Sequence, residues 1–325
     1  MTLLITGATG FIGNHLVKAL CERKYNCRCL VRNLNKAQEL FKNCEGIEFV
    51  IGDITNSVSL QNIERNADIV IHLAALLEDF RRVHTDIWNI NFSGTVNLLK
   101  NLNKIRRFIF CSTPGVQGLG YKYAKEDFPY NARGIYEESK AEAEKIIIQI
   151  CNQKGIEWCI LRPDFVYGPG DLRRLPFYKM IAKRKVYIIG DGQSCISPTY
   201  VEDVVQAFVK CINSENATNN IFNISGNSIT VEGYLTTIAN TFATSLPKTR
   251  VPLFFSLAAA SVSESIYDHI LKKEPPITKR RIDFLTKNHS TDNQKAHVLL
   301  NFTPEYSLEK GLRKTIAWYK KEKLI

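Results

Sequence analysis

An α/β fold is what this sequence predicts: a doubly wound parallel sheet followed by a smaller, mostly helical C-terminal lobe. Three observations carry it. Short apolar runs alternate with amphipathic segments through the first half of the chain. A glycine-spaced turn joins the first run to the first amphipathic segment. The rhythm then changes near residue 165, where Pro163, Gly168, Pro169 and Gly170 cluster.

The apolar runs cover residues 3–6, 27–31, 47–51, 69–73, 108–111 and 157–161. Their length and β-branched content suit buried strands. Between them, residues 11–23, 86–103 and 136–153 repeat apolar positions at helical spacing. Strand and helix repeated in this way give a parallel sheet covered on both faces, with right-handed crossovers. Beyond residue 165 a basic helix is expected over 175–184 and another over 202–213, with a short strand at 221–224. Further helices are expected over 230–242, 252–271 and 307–320. The expected division is residues 1–165 for the sheet domain, with 200–225 returning to it, and 166–325 for the second lobe.

Of the 325 residues, 45% are hydrophobic and 23% charged, an ordinary globular balance. The net charge of +11 comes with basic clusters at Lys183-Arg184-Lys185, Lys272-Lys273 and Lys279-Arg280-Arg281. No nucleic-acid motif accompanies them, so a solvated basic face is expected and no nucleic-acid partner. The apolar stretch 253–262, broken by Ser256 and Ser261, is far shorter than the ~20 residues of a membrane span. A buried or half-buried helix is expected there, and no stable membrane span. The nine cysteines are scattered, and Cys27 and Cys29 lack zinc spacing, so reduced thiols and no metal are expected. With no signal-peptide pattern at the start, the expected location is cytoplasmic.

Thr6-Gly7-Ala8-Thr9-Gly10-Phe11-Ile12-Gly13 directly follows the first strand and opens the first helix. Glycines there let the backbone turn tightly and approach a pyrophosphate, while the helix start offers free N–H groups. The spacing is GxxGxxG. It resembles the fingerprint of the extended short-chain dehydrogenase/reductase superfamily, and further matches follow in order. Asp53 and Ile54 look like the adenine contact. Leu73, Ala74 and Ala75 look like the loop bordering the cofactor. Asn91 looks like the structural and proton-relay asparagine. Pro163, Phe165 and Val166 lie in the segment that covers the nicotinamide in that family. The chain is identified by these matches as resembling the NAD-dependent epimerase/dehydratase family, with a Rossmann-type sheet domain and a C-terminal substrate-binding lobe. The resemblance implies an enzyme acting on a small-molecule substrate.

A YxxxK pair places a phenol and an ammonium on one helix face, and the ammonium is expected to lower the phenol's pKa toward working pH. The pattern occurs at Tyr121/Lys125, Tyr136/Lys140 and Tyr319/Lys323. Tyr319 lies in the terminal helix, and Tyr121 falls in an expected loop. Tyr136 opens a long helix after the fifth strand, so Tyr136 and Lys140 are the expected catalytic and cofactor-contacting pair. A hydroxyl from the end of the fifth strand should complete the site. Thr113 aligns with the family position, and Ser112 is the alternative.

At the end of the second strand Val31 stands where NAD-specific relatives place an acid, and Arg32 follows. An arginine there suits a 2′-phosphate, so NADP is favoured over NAD. Pro114-Gly115 after Thr113 argues against a dehydratase. No arginine occurs in residues 190–198, and 286–293 lacks the family's Arg-x-Gly-Asp. Residues 274–281 look like the 3β-hydroxysteroid dehydrogenase/dihydroflavonol reductase-like branch. These features imply interconversion of a secondary alcohol and a ketone on a largely apolar molecule. A nucleotide-sugar 4-epimerase is the alternative, and a non-catalytic dinucleotide sensor is a third reading. Ile87, Ile90, Val96, Leu98, Leu99, Ile146, Ile147 and Ile150 exceed the needs of one sheet face, so a homodimer is expected.

Overall fold

The computed structural model describes residues 1–78, 83–267, 271, 275 and 277–325. The chain starts with β1 (Thr2–Thr6), α1 (Phe11–Glu22), β2 (Asn26–Val31), α2 (Leu34–Leu40), β3 (Ile47–Ile51) and β4 (Ile69–His72). Then come α3 (His84–Trp88), a π-turn (Asn89–Ser93), α4 (Gly94–Lys100), β5 (Arg107–Cys111), β6 (Tyr121–Ala124), α5 (Ile135–Lys154) and β7 (Glu157–Pro163). The second half contributes β8 (Val166–Tyr167), α6 (Leu175–Ala182), β9 (Ile188–Ile189), β10 (Cys195–Ile196), β11 (Thr199–Tyr200), α7 (Val201–Asn213) and β12 (Asn220–Ile224). It ends with β13 (Ile229–Thr230), α8 (Val231–Thr241), β14 (Arg250–Val251), α9 (Leu253–Ile266), α10 (Lys279–Thr286), β15 (His289–Thr291), α11 (Gln294–Leu300) and α12 (Leu308–Lys321).

Seven strands form one parallel sheet in the order β12-β7-β5-β4-β1-β2-β3. The doubly wound sheet is the one the alternation predicts. Strand side chains alternate between faces, and two apolar layers result. Leu3 and Ile5 pack with Leu16, Val17, Val204 and Phe208 of α1 and α7. Leu4 and Val70 pack on the opposite face with Leu98, Leu99, Ile147 and Cys151 of α4 and α5. The chain order reverses between β1 and β4, the place where open α/β sheets bind ligands beyond their carboxyl ends.

A third apolar cluster holds the C-terminal lobe together, with Tyr167, Tyr178, Tyr234, Leu312 and Tyr319 buried in it. Helices dominate this lobe, but short strands stitch it to the rest. A second sheet has the order β13-β10-β15-β6. Tyr121, expected in a loop, pairs with His289 in that sheet. Strands of two to four residues give no readable period, and their partners lie far away in sequence.

Two further expectations are corrected. The 253–262 stretch is helical but not buried. Phe254, Phe255 and Val262 are 75%, 64% and 59% exposed, and only Ser256 and Ala260 of α9 are buried. The apolar residues are spread around the helix, so one face cannot hide them. Among the described residues no helix is long and apolar enough to cross a membrane. Of the surplus apolar positions on α3, α4 and α5, Ile87, Leu98, Leu99 and Ile147 are fully buried within the chain itself. Lys272, Lys273, Glu274 and Pro276 lie outside the described residues.

Candidate active site

β1 ends at Thr6, and the chain turns at once. Gly7 adopts φ +72°, and a side-chain carbon there would lie 2.6 Å from the Ala74 nitrogen and 2.7 Å from the Leu73 carbonyl carbon. A carbon on Gly13 would meet the Gly7 oxygen at 2.2 Å. These two glycines let the turn, the helix start and the loop after β4 close on one another. Gly10 caps α1 with no side-chain bond, and the first turn carries no acid. The Gly10 N–H is spent on the Gly7 carbonyl at 3.0 Å, and the helix proper starts with Asn14 N–H to Gly10 O at 2.9 Å. The N–H groups of Phe11, Ile12 and Gly13 therefore converge at a positive helix end, with Thr9 beside them. This cradle fits a dinucleotide pyrophosphate.

Behind the cradle, His72 at the end of β4 is fully buried. Its Nδ1 is 2.6 Å from Thr6 Oγ1, and its Nε2 is 2.9 Å from Thr95 Oγ1. Thr95 donates its own proton to the Asn91 carbonyl at 2.6 Å, so His72 Nε2 must be the donor to Thr95. Nδ1 then accepts from Thr6, whose oxygen accepts the Ala74 N–H at 3.2 Å. Burial, reinforced by the Lys140 charge, pulls the imidazole down to about 3. A neutral ring thus ties the end of β1 to the π-turn that carries Asn91. There the Asn91 amide accepts from Leu76 N at 2.7 Å and donates to Leu76 O and Ser139 Oγ, both at 3.0 Å. Every polar atom of this side chain has a structural partner.

Ser139 lies on α5 beside the expected pair, and its hydroxyl donates to the Tyr136 carbonyl at 2.7 Å. Lys140 is buried. Its Nζ donates to the Cys111 carbonyl at 2.5 Å and sits 3.8 Å from the Phe110 ring centre. Burial pulls its pKa down to about 8, against the raising influence of Cys111 and Glu144. The Tyr136 phenol does not show the lowered pKa expected from its lysine. Burial pushes it well up, Cys111 and Glu137 add to that, and Arg173 alone opposes. The ammonium is directed at the Cys111 carbonyl, and desolvation is the largest influence on the phenol.

Lys140 meets the end of β5 at Cys111, which also acts electrostatically on the Tyr136 phenol. Next to Cys111, Ser112 Oγ is buried and has no partner among the described residues. Thr113 is half-buried, and its oxygen accepts the Gly115 N–H at 3.2 Å, with no acceptor for its proton among the described residues. The other two tyrosine-lysine pairs lie elsewhere: Tyr121 packs edge-on against Phe128, and the buried Tyr319 hydroxyl donates to the Asp171 carbonyl. One turn beyond Lys140 along α5, Glu144 receives Arg162 through two bonds of 3.0 and 2.7 Å, and the Tyr130 hydroxyl at 2.7 Å. Breaking a buried pair of this kind by removing one partner costs about 3–5 kcal/mol.

At the other end of the cleft, Arg32 follows β2 and lies 3.8 Å from Asp53, with 71% of its side chain exposed. Asp53 Oδ1 accepts from Thr55 N at 2.9 Å and Thr55 Oγ1 at 2.8 Å, and Ile54 is buried beside it. Leu73, Ala74 and Ala75 run on from β4. Pro163 ends β7 and Val166 opens β8. Between them Phe165 has φ +39° and turns its ring onto Phe284, with centres 5.0 Å apart. Arg174 lies over the Phe165 ring at 3.9 Å and pairs with Asp171 at 3.3 Å.

Sequence reasoning missed four groups. Arg280 of α10 bridges Glu78 and Glu137, the latter at 2.6 Å, joining the C-terminal lobe to the residue after Tyr136. His72 was visible only as part of the loop motif. Asp164, buried with Thr291 as its side-chain donor at 3.0 Å, is pushed up to about 7 by desolvation. His289 joins the aromatic group around Phe165. No local pattern marks the last two, because their partners come from distant segments.

The family model for the NAD dependent epimerase/dehydratase family matches residues 3–225. A sterol-4-alpha-carboxylate 3-dehydrogenase, decarboxylating, from Schizosaccharomyces pombe is 28% identical over 99% of this chain and 98% of its own length. A UDP-glucose 4-epimerase from Vibrio cholerae is 30% identical over 69% of this chain and 70% of its own. Among solved structures, UDP-glucuronic acid 4-epimerase from Bacillus cereus in complex with NAD superimposes with a TM-score of 0.79 at 23% identity, covering 99% of both chains. The chain is an enzyme of the NAD dependent epimerase/dehydratase family, within the extended short-chain dehydrogenase/reductase superfamily.

Proposed function

We propose that this enzyme interconverts a secondary alcohol and a ketone on a largely apolar small molecule. The observation that carries this reading is the wall beyond β7: Phe165 stacks on Phe284 and meets Tyr234 edge-on. A diphosphate needs paired cations. Ile196 is buried in the second sheet, and Arg174 is already engaged with Asp171 and the Phe165 ring. The decarboxylating sterol dehydrogenase is similar along the whole chain, whereas the Vibrio epimerase covers 69% of it. Arg173, whose charge acts on the Tyr136 phenol, suits a substrate with a carboxylate beside the alcohol, as in that relative's name.

Tyr136 holds a proton at the substrate oxygen, taking it up in oxidation and returning it in reduction. Thr113, or Ser112 in its place, donates a hydrogen bond to the same oxygen. Lys140 supplies positive charge beneath the phenol, and Asn91 keeps α5 and the loop after β4 in register. Gly7, Thr9, Gly10, Phe11, Ile12 and Gly13 hold the pyrophosphate. Asp53 and Ile54 take the adenine, Leu73, Ala74 and Ala75 border the dinucleotide, and Pro163, Phe165 and Val166 cover its nicotinamide end. The nicotinamide, when bound, supplies or accepts the hydride. NADP is favoured through Arg32. The chain divides functionally into a dinucleotide domain, residues 1–165 with 200–225, and a substrate lobe, and it works as a cytoplasmic homodimer.

A panel of hydroxysteroids, with and without a neighbouring carboxylate, against UDP-, GDP- and dTDP-sugars tests the reaction. A steady absorbance change of the reduced nicotinamide with a steroid or simple ketone is expected. The second reading is a nucleotide-sugar 4-epimerase, favoured by the 30% and 32% identity to UDP-glucose 4-epimerases. Epimerised sugar with no net change in cofactor would establish it instead.

A further inference from the structure

We infer that His289 accepts a hydrogen bond from a hydroxyl on the apolar body of the substrate and so selects which alcohols the cleft takes. The inference rests on the reading of the cleft as a site for apolar alcohols and ketones.

His289 opens β15 and pairs with Tyr121 on one side and Ile196 on the other. Thr291, two residues on, donates to Asp164 Oδ2 at 3.0 Å. Asp164 immediately follows β7, so Thr291, and with it β15, stands beyond the carboxyl end of β7, and the ladder with β6 shifts register between His289 and Thr291. The His289 ring is 4.1 Å from the Phe284 centre and 6.3 Å from that of Phe165.

The two ring nitrogens have different surroundings. Nδ1 is 3.2 Å from the Lys287 carbonyl, which can only accept, so Nδ1 carries the proton. In a neutral ring Nε2 is then an acceptor. It is shielded from solvent and has no partner among the described residues. Burial keeps the ring neutral, pulling its pKa down to about 4. Nε2 therefore offers a lone pair and no charge inside an aromatic wall. A hydroxyl satisfies it. A ketone, a carboxylate or a phosphate leaves it unpaired. A site built around such a bond rejects the analogue that lacks the donor.

Access runs through α10. Phe284 lies one turn from Arg280, whose guanidinium holds Glu78 and Glu137. A substrate that reaches Nε2 parts Phe284 from Phe165, and α10 is the element that has to shift.

The test compares androstanol with androstanediol, which differ by one hydroxyl far from the oxidised one, together with cyclic monool and diol pairs of other spacing. In the native enzyme at least one diol should show a KM about tenfold or more below that of its monool. His289→Leu should erase that difference and leave kcat for the monool within a few-fold. His289→Gln, which restores an acceptor, should recover part of it. Melting curves establish that both variants fold. Equal KM values throughout the pairs in the native enzyme, or a preference that survives in His289→Leu, overturn the inference and leave Nε2 to water. Should no alcohol be turned over, the reading of the reaction fails. Calorimetric binding of the same pairs to the protein saturated with NADP, or with NAD should that bind more tightly, then decides His289 by itself, and equal affinities overturn it.

Discussion

The Lys140 ammonium donates to the Cys111 carbonyl at 2.5 Å, which fixes the head of α5 against the end of β5. Tyr136 lies one turn earlier on the same helix, so the contact also sets where its phenol stands. Tyr136→Phe is expected to keep dinucleotide affinity within a few-fold and to lower turnover by ~100- to 10,000-fold, the usual worth of a positioned acid–base group. Stopped-flow or steady-state rates with an accepted alcohol measure it. Near-native turnover would remove Tyr136 from the chemistry.

Ser112 and Thr113 compete for the third place in the site. Thr113 Oγ1 accepts the Gly115 N–H, and this orients its free proton away from the backbone. Ser112 Oγ has no such guide. Thr113→Val should therefore reduce kcat by roughly 10- to 100-fold, and Ser112→Ala by only a few-fold, because a preoriented donor is worth more to the charged oxygen of the transition state. The reverse ranking would assign the role to Ser112.

The second sheet and the aromatic wall were not legible in the sequence, whereas the first was. Leu3, Leu4 and Ile5 sit at the start of a run whose length and neighbours mark a buried strand, and Gly7, Gly10 and Gly13 punctuate its end. Local periodicity and spacing suffice for such elements. Tyr121 and His289 form their pair across about half of the chain's length, in strands too short for any period. Asn91 was named from its motif, but the π-turn that carries it was not visible. The Tyr136 phenol was misjudged in sign, because desolvation depends on packing that YxxxK does not encode. The exposure of Phe254 and Phe255 escaped for a similar reason: hydropathy reports a preference, and the surrounding lobe leaves that preference unmet.

Two buried groups make stability depend on pH in opposite senses. His289 has a folded pKa of about 4 against an ordinary 6.5. Between those values the unfolded chain binds the extra proton, so this contribution is present above pH 6.5 and is lost as pH falls toward 4. Asp164 is pushed up to about 7 from 3.8. Here the folded state binds the extra proton, so stability falls as pH rises from 3.8 to 7. Each group accounts for up to about 1.4 kcal/mol per pH unit in its window. His289→Gln should flatten the acid loss, and Asp164→Asn should steepen it. Urea titrations between pH 4 and 7 measure both slopes. Parallel curves for all three proteins would show that neither pKa is displaced.

A homodimer through α3, α4 and α5 must use what the chain's own core leaves over. Ile87, Leu98, Leu99 and Ile147 are consumed internally. Trp88, Ile90, Phe92, Val96, Ile146 and Ile150 remain half-buried, with Trp88 and Phe92 rings 5.2 Å apart. Val96→Glu together with Ile146→Lys should yield a monomer by light scattering, with little change in melting temperature beyond that from lost association. A native protein that is already monomeric at micromolar concentration would end the proposal.

Arg32 decides cofactor choice only if its present partner is weak. It faces Asp53 at 3.8 Å, at the outer limit of an ion pair, and most of its side chain is in solvent. Exposed pairs of this kind are worth ~0–1 kcal/mol. A 2′-phosphate brings a full charge and three acceptor oxygens, and a charge-assisted bond to it is worth about 1.5–3 kcal/mol. The exchange therefore favours the phosphate, and Asp53 keeps its two bonds from Thr55 while Arg32 turns away. Val31, buried at the end of β2, supplies no carboxylate to repel the phosphate or to grip a free ribose hydroxyl. Calorimetry should give NADP(H) roughly ten- to hundred-fold tighter than NAD(H). Arg32→Ala should erase that difference by weakening NADP(H) and leaving NAD(H) almost unchanged. A native protein that binds both equally, or prefers NAD(H), would reduce Arg32 to a surface charge held by Asp53.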